Sequence, residues 1–136
     1  LKQWRHDLQA MADAVTDRTR LLFLCNPNNP TGTMVSASEV ERLLSRVPES
    51  TVVVFDEAYF EYVRSRQFPD SMAYVKQGRN VIVLRTFSKI YGLASLRVGW
   101  AYGPESVIDA LNRAATVAVA VSLREAIRRL SVFRRA

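Results

Sequence analysis

The sequence has few of the residues that build disulfide frameworks and metal sites. Its 136 residues include one cysteine, Cys25, and one histidine, His6. A single thiol excludes an internal disulfide bridge and any zinc site made from a cluster of cysteines. No residues have the spacing of metal ligands either. We therefore expect neither a disulfide-stabilised domain nor a metalloprotein.

Long hydrophobic runs are also missing, although 49% of the residues are apolar and 24% are charged, a balance that allows a folded core. The longest candidate, residues 114–121, is about half of the roughly 18 residues that a membrane span needs. The first seven residues contain no apolar segment of the kind found in signal peptides. These absences predict a cytoplasmic protein with no membrane partner.

The net charge of +6 raises the alternative of a basic, nucleic-acid-binding α/β module. Residues 113–136 contain six arginines and one glutamate, a balance of +5, which leaves +1 for all the residues before them. The positive charge therefore belongs to the tail, and the body of the chain is nearly neutral. We expect no nucleic-acid partner, and the basic module stays as the less favoured alternative.

Short apolar runs predict the strands of the fold. Residues 21–24, 52–55 and 81–84 are continuous and rich in β-branched or aromatic side chains, and residues 98–102 form a less regular fourth candidate. Continuous runs of this kind are typical of strands buried on both faces of a parallel sheet.

Helical patterns lie between these runs. Apolar residues recur at helical spacing after Asp7, after a Ser-x-x-Glu capping box at 36–39, and after Gly-Pro-Glu at 103–105. Residues 64–78 predict a loop with one helical turn, whereas residues 114–120, nearly all Ala and Val, leave helix and loop both open. The alternation predicts an α/β fold with a mostly parallel sheet flanked by helices.

Polar residues follow the first two predicted strands, where open α/β sheets bind their ligands. Residues 26–33 contain two Asn-Pro steps and a glycine, which favour a rigid turn that tolerates a cis peptide bond. Asp56 ends the second strand, and a buried aspartate is costly unless it meets a cation or several donors. Tyr59 adds a phenol three residues later. The alternatives are a turn that binds nothing and an aspartate that only caps the next turn.

The third predicted strand ends in a loop of hydroxyls and cations. Thr86, Ser88 and Lys89 lie in this loop, and Arg97 follows eight residues after the lysine. Such a set suits a phosphate with an amine nucleophile beside it, although a solvated surface loop is the alternative. Taken with the acid, phenol and amide after the other strands, this chemistry fits pyridoxal 5'-phosphate (PLP).

Three motifs also resemble a known family. Asn-Asn-Pro-Thr-Gly at 28–32, Asp-Glu-Ala-Tyr at 56–59 and Lys89 with Arg97 resemble, in order and spacing, the large domain of fold-type I PLP-dependent aminotransferases. They are most similar to the histidinol-phosphate aminotransferase branch and its aromatic (phenylalanine-type) amino acid aminotransferase relatives. The resemblance covers about residues 7–111, and it implies the aspartate aminotransferase-like fold of the PLP-dependent transferases.

The resemblance implies a role for each site residue. Lys89 would hold the cofactor as a Schiff base and shuttle a proton, and Asp56 would pair with the pyridine nitrogen. Tyr59 and Asn29 would both hydrogen-bond the phenolic oxygen of the cofactor. The phosphate would be held by Arg97, Ser88 and Thr86.

The implied activity is transamination, as in histidine or aromatic amino-acid biosynthesis. The amino group would pass between an aromatic amino acid or histidinol phosphate and a 2-oxo acid such as 2-oxoglutarate, in a homodimer. Decarboxylases, lyases and synthases of the same fold share these residues and remain an alternative.

The resemblance also sets an expectation for the domains. Residues 1–113 would be part of the PLP-binding large domain, and residues 114–136 an atypical basic tail from a truncated or out-of-frame gene end. The small C-terminal domain, with the arginine that binds the substrate carboxylate, would be absent. A fragment of this kind would be inactive by itself.

Overall fold

The computed structural model describes residues 1–118 of the chain, so most of the predicted basic tail lies outside the described residues. Strands and helices follow one another through these residues, which confirms the α/β class. In chain order the elements are α1 (Leu8–Asp13), β1 (Leu21–Cys25), α2 (Ala37–Leu44), β2 (Val52–Asp56), α3 (Ser71–Lys76), β3 (Val81–Thr86), β4 (Gly99–Tyr102) and α4 (Glu105–Ala118).

The four strands form one sheet in the order β1-β2-β3-β4. β1, β2 and β3 are parallel, and β4 runs antiparallel to β3, which confirms the mostly parallel sheet. Asp56 is paired with Cys25 on one side and with Leu84 on the other. The carboxyl ends of the three parallel strands therefore lie at one edge of the sheet, as the sequence predicted.

The hydrophobic core lies on one face of this sheet. Leu24, Phe55 and Val83 point to that face from the three parallel strands, and all three are fully buried. They share a cluster with residues of the first three helices, namely Ala12, Val40, Leu43 and Tyr74. Helices α1, α2 and α3 therefore cover the same face, and removal of these side chains from water drives the packing.

The opposite face is only partly covered, so the expectation of strands buried on both faces is wrong for β1. Val54 and Ile82 in the middle of that face are buried, but Leu21 and Phe23 of β1 are 54% and 60% exposed. All four residues of β4 are exposed as well. Successive side chains of a strand point to opposite faces. Within residues 1–118 no helix covers the part of the opposite face that carries Leu21 and Phe23.

The helix ends follow the predicted caps. The Asp7 carboxylate accepts a hydrogen bond from the Ala10 amide at 3.1 Å, and the capping box from Ser36 to Glu39 is complete. The predicted loop at 64–78 contains α3, a six-residue helix that is longer than the single turn expected. Helix α4 extends through residue 118, so the part of the undecided segment that the structure describes is helical.

Candidate active site at the carboxyl edge of the sheet

The loop after β1 is held by its own hydrogen bonds. Asn26 is buried, and its side-chain amide both donates to the Val35 carbonyl at 3.2 Å and accepts from the Val35 amide at 2.9 Å. Gly32, at φ +68°, donates its amide to the Asn28 carbonyl at 2.8 Å, and both Asn-Pro bonds of the loop are cis. This rigid loop places Asn29 at the surface, at the carboxyl edge of the sheet.

Asn29, Tyr59 and Lys89 meet at this edge, although they follow three different strands. The Asn29 side-chain nitrogen donates to the Tyr59 hydroxyl at 3.3 Å. The Lys89 Nζ lies 5.2 Å from the centroid of the Tyr59 ring, within range of a cation–π contact. The structure therefore brings an amide, a phenol and an exposed amine together.

Asp56 lies at the end of β2, where its carboxylate is half-buried. One oxygen, Oδ1, accepts a hydrogen bond from the Ala58 amide at 3.2 Å, so this residue does cap the turn that follows. Within residues 1–118 the second oxygen, Oδ2, has no hydrogen-bond partner, which leaves it free to accept one. The Asp56 charge also acts on the neighbouring strand β1. Burial raises the pKa of the Cys25 thiol, and the Asp56 carboxylate raises it further.

Thr86 ends β3, and Ser88 and Arg97 lie in the loop between β3 and β4. The Phe87 amide donates to the Val98 carbonyl at 3.1 Å, and the Ser88 amide donates to the Thr86 hydroxyl at 3.0 Å. Arg97 is exposed, has a left-handed backbone and donates to the Ala94 carbonyl at 3.1 Å. Among the described residues no hydrogen bond joins the Arg97 guanidinium to either hydroxyl.

Sequence reasoning missed a buried ion pair beneath this edge. The Glu57 carboxylate has no exposed surface, and its Oε2 lies 2.8 Å from Nη2 and 2.9 Å from Nε of Arg85. The Ser71 hydroxyl donates to the other carboxylate oxygen. Burial raises the pKa of the Glu57 carboxyl, and the Ser71 hydrogen bond and the Arg85 charge oppose that shift. The available signal was the pair of consecutive acids, Asp56 and Glu57, at the end of β2. Because successive residues of a strand face opposite sides of the sheet, one of the two had to face the core and find a partner there.

No three His, Cys, Asp or Glu side chains within residues 1–118 are placed to hold a metal ion. No helix of this part of the chain has the length and apolar character needed to cross a membrane.

A comparison of the sequence with known families shows which family the chain belongs to. A model of the family "Aminotransferase class I and II" matches residues 1–125. This chain belongs to the class I and II aminotransferase family. The resemblance drawn from the three motifs is thereby confirmed.

Aminotransferases of two kinds are similar in sequence. The aromatic amino acid aminotransferase of Streptomyces avermitilis is 60% identical over 110 residues, which are 81% of this chain and 31% of that protein. The histidinol-phosphate aminotransferase of Moorella thermoacetica is 58% identical over 113 residues, or 82% of this chain and 29% of that protein. The chain thus spans about a third of the length of these relatives.

A solved aminotransferase structure shares the fold. The histidinol-phosphate aminotransferase of Sinorhizobium meliloti, solved in complex with pyridoxal 5'-phosphate, superposes with a TM-score of 0.70 and 34% identity. The match covers 80% of this chain and 30% of that one. The expected PLP-dependent transferase architecture is therefore confirmed.

Proposed function

We propose that this chain carries the pyridoxal phosphate site of an aminotransferase. The enzyme would transfer an amino group between an aromatic amino acid or histidinol phosphate and a 2-oxo acid such as 2-oxoglutarate. The observation that carries this proposal is the meeting of Asn29, Tyr59 and Lys89 at one edge of the sheet. The names of the relatives support the two classes of amino donor.

The side chains at this edge fit the chemical groups of the cofactor. The free oxygen of Asp56 suits the protonated ring nitrogen, since an ionised carboxylate is a strong acceptor. Tyr59 and Asn29 suit the phenolic oxygen, and the exposed amine of Lys89 suits the aldehyde. The hydroxyls of Thr86 and Ser88 and the guanidinium of Arg97 suit the phosphate.

Each of these residues has a task in the proposed reaction. When bound, the cofactor supplies an electron sink that makes loss of the substrate Cα proton feasible. Asp56, kept ionised, holds the proton on the ring nitrogen. Tyr59 and Asn29 orient the ring through its phenolic oxygen. Once the substrate amino group had replaced Lys89 at the cofactor aldehyde, the released Lys89 amine would take the proton from Cα and return it to C4′.

The proposal also covers the setting of the site. Residues 1–113 form part of a PLP-binding large domain, and the enzyme works as a homodimer in the cytoplasm. The chain by itself, which spans about a third of its relatives, is expected to attach the cofactor but to show little or no transamination. Turnover of phenylalanine or histidinol phosphate with 2-oxoglutarate, at rates typical of enzymes, would contradict that expectation.

Covalent labelling tests the proposed site. The sequence contains three lysines, Lys2, Lys76 and Lys89, so every candidate amine besides the N-terminus can be followed. The chain is mixed with PLP, reduced with borohydride, digested and analysed by peptide mass spectrometry. We expect one pyridoxyl group on Lys89, lost in Lys89→Ala and retained in the matched control Lys76→Ala. Equal labelling of all three lysines would overturn the proposal.

A further inference from the structure

The Glu57–Arg85 ion pair lies on the face of the sheet opposite to Asp56. Glu57 is fully buried, and the Arg85 side chain is 15% exposed. Nε and Nη2 of the guanidinium both contact the same carboxylate oxygen, at 2.9 and 2.8 Å. Neither side chain lies among the groups assigned to the cofactor, so the pair has no direct part in the proposed chemistry.

The surroundings of Arg85 fix its guanidinium in place. Its Cζ atom lies 3.4 Å from the centroid of the Phe60 ring and 5.3 Å from that of Trp100. The Ser71 hydroxyl meanwhile holds the second oxygen of Glu57. A planar guanidinium stacked on a ring and bonded to a fixed carboxylate has little freedom, and lysine cannot reproduce that geometry.

The pair joins the two segments that hold the proposed site residues. Glu57 follows Asp56 directly and precedes Tyr59 by two residues, whereas Arg85 precedes Lys89 by four. The Glu57 amide also donates to the Leu84 carbonyl at 2.9 Å, so backbone and side chain both link β2 to β3 at this point. Any shift of the pair would move the acid, the phenol and the amine relative to one another.

We propose that Glu57 and Arg85 are positioning residues, which set the spacing between Asp56 and Tyr59 on one strand end and Lys89 on the other. Their effect on the cofactor rests on the proposed function. A buried ion pair contributes little net stability compared with apolar side chains of similar volume. Its geometric effect on the two strand ends is therefore the property to be measured.

Cofactor binding by conservative variants is the first measurement. Glu57→Gln and Arg85→Lys keep the size of the side chain, and Glu41→Gln and Arg79→Lys are matched controls from an exposed ion pair. For Glu57→Gln and Arg85→Lys we expect the dissociation constant for PLP to rise about tenfold or more. We also expect the pH midpoint of the bound-cofactor absorbance to shift. Controls should stay within about twofold of the unaltered chain. A lower melting temperature with unchanged affinity and unchanged pH midpoint would mean a merely structural role and overturn the proposal.

Hydrogen exchange of the cofactor-free chain is the second measurement. We expect Glu57→Gln to speed amide exchange at residues 57–60 and 86–89, and to leave helix α2 unchanged. A uniform increase, or none, overturns the inference.

The exchange experiment can be separated from the test of the proposed function. If Lys89 carries no pyridoxyl group in the unaltered chain, the proposed function fails, and the exchange pattern still decides whether the ion pair holds residues 57–60 and 86–89. The double variant Glu57→Gln, Arg85→Met removes both charges. If it is more stable than Glu57→Gln alone but its amides at residues 57–60 and 86–89 still exchange fast, the pair acts by positioning these residues.

Discussion

At the scale of single residues, Tyr59 is the centre of the proposed site. Its hydroxyl oxygen accepts the hydrogen bond from Asn29, and no residue within 1–118 accepts the hydroxyl proton, which can therefore be donated to another oxygen. The ring beneath that hydroxyl faces the Lys89 ammonium at 5.2 Å. One side chain thus orients the amide, supports the amine and offers a donor.

Removing this hydroxyl tests the assignment. We expect Tyr59→Phe to bind PLP about fivefold more weakly, because a lost hydrogen bond costs about 1 kcal/mol. Tyr62→Phe is the matched control, since this neighbouring ring lies 6.1 Å from that of Tyr59 and is exposed. Affinity is measured by absorbance titration. Equal losses in the two variants would argue against a specific role for Tyr59.

At the scale of elements, the start of helix α2 holds the N-terminal segment. The Glu39 carboxylate accepts from the Ser36 amide at 2.7 Å and forms an ion pair with Arg5 at 3.0 Å. Arg5 also donates to the Met34 carbonyl at 2.8 Å. A capping glutamate therefore connects helix α2 to the segment that precedes α1, 34 residues earlier in the chain.

The Glu39 carboxylate makes stability depend on pH. The hydrogen bond from the Ser36 amide, aided by the Ser36 hydroxyl and Arg5, holds the pKa of Glu39 below its ordinary value. A carboxyl with a lowered pKa in the folded state stabilises the fold at neutral pH, and this contribution is lost as the pH falls below about 4.3 and through the folded-state pKa. We expect Glu39→Gln to lower the free energy of unfolding at pH 7 and to have a much smaller effect at pH 3. Urea unfolding measures both, with Glu41→Gln as the control; a deficit equally large at pH 3 would contradict this assignment.

The contact between β3 and β4 requires a glycine. A Cβ atom at Gly99 would lie 2.7 Å from the Arg85 carbonyl oxygen, which is backbone and cannot move aside. We expect Gly99→Ala to reduce the free energy of unfolding by about 1–3 kcal/mol, as overpacking does elsewhere. Ser106→Ala, at an exposed position of α4, should change it by less than about 0.5 kcal/mol. Thermal or urea unfolding of the two variants makes the comparison, and equal stabilities would mean that the strands separate freely there.

At the scale of the whole molecule, the outer strand β1 exposes both an edge and an apolar face. Within residues 1–118 no strand pairs with the outer side of β1, and its unpaired backbone groups beside the exposed Leu21 and Phe23 favour association with other chains. We expect the chain to self-associate as its concentration rises, and Phe23→Lys to weaken that association. Trp4→Lys is the control, because Trp4 is 75% exposed but lies outside the sheet. Sedimentation velocity distinguishes the variants; if both behave alike, the face of β1 is not the cause.

Local patterns in the sequence determined much of this fold. Continuous apolar runs located the three parallel strands, and a less regular run located β4. The Asp7 and Ser36 caps located two helix starts, and polar residues at strand ends indicated the candidate site. Each of these signals depends on residues within a few positions of one another, and for that reason it can be read without a structure. The three motifs and their order were also sufficient to indicate the family.

Only the tertiary structure decided which distant groups meet. The Asn29–Tyr59 hydrogen bond spans 30 residues and the Glu57–Arg85 contact spans 28. Both depend on the register of neighbouring strands, and a shift of one residue would turn every side chain to the opposite face. The sequence could not reveal the exposed face of β1 for the same reason: burial depends on which helices cross the sheet, and that is a property of the packed chain.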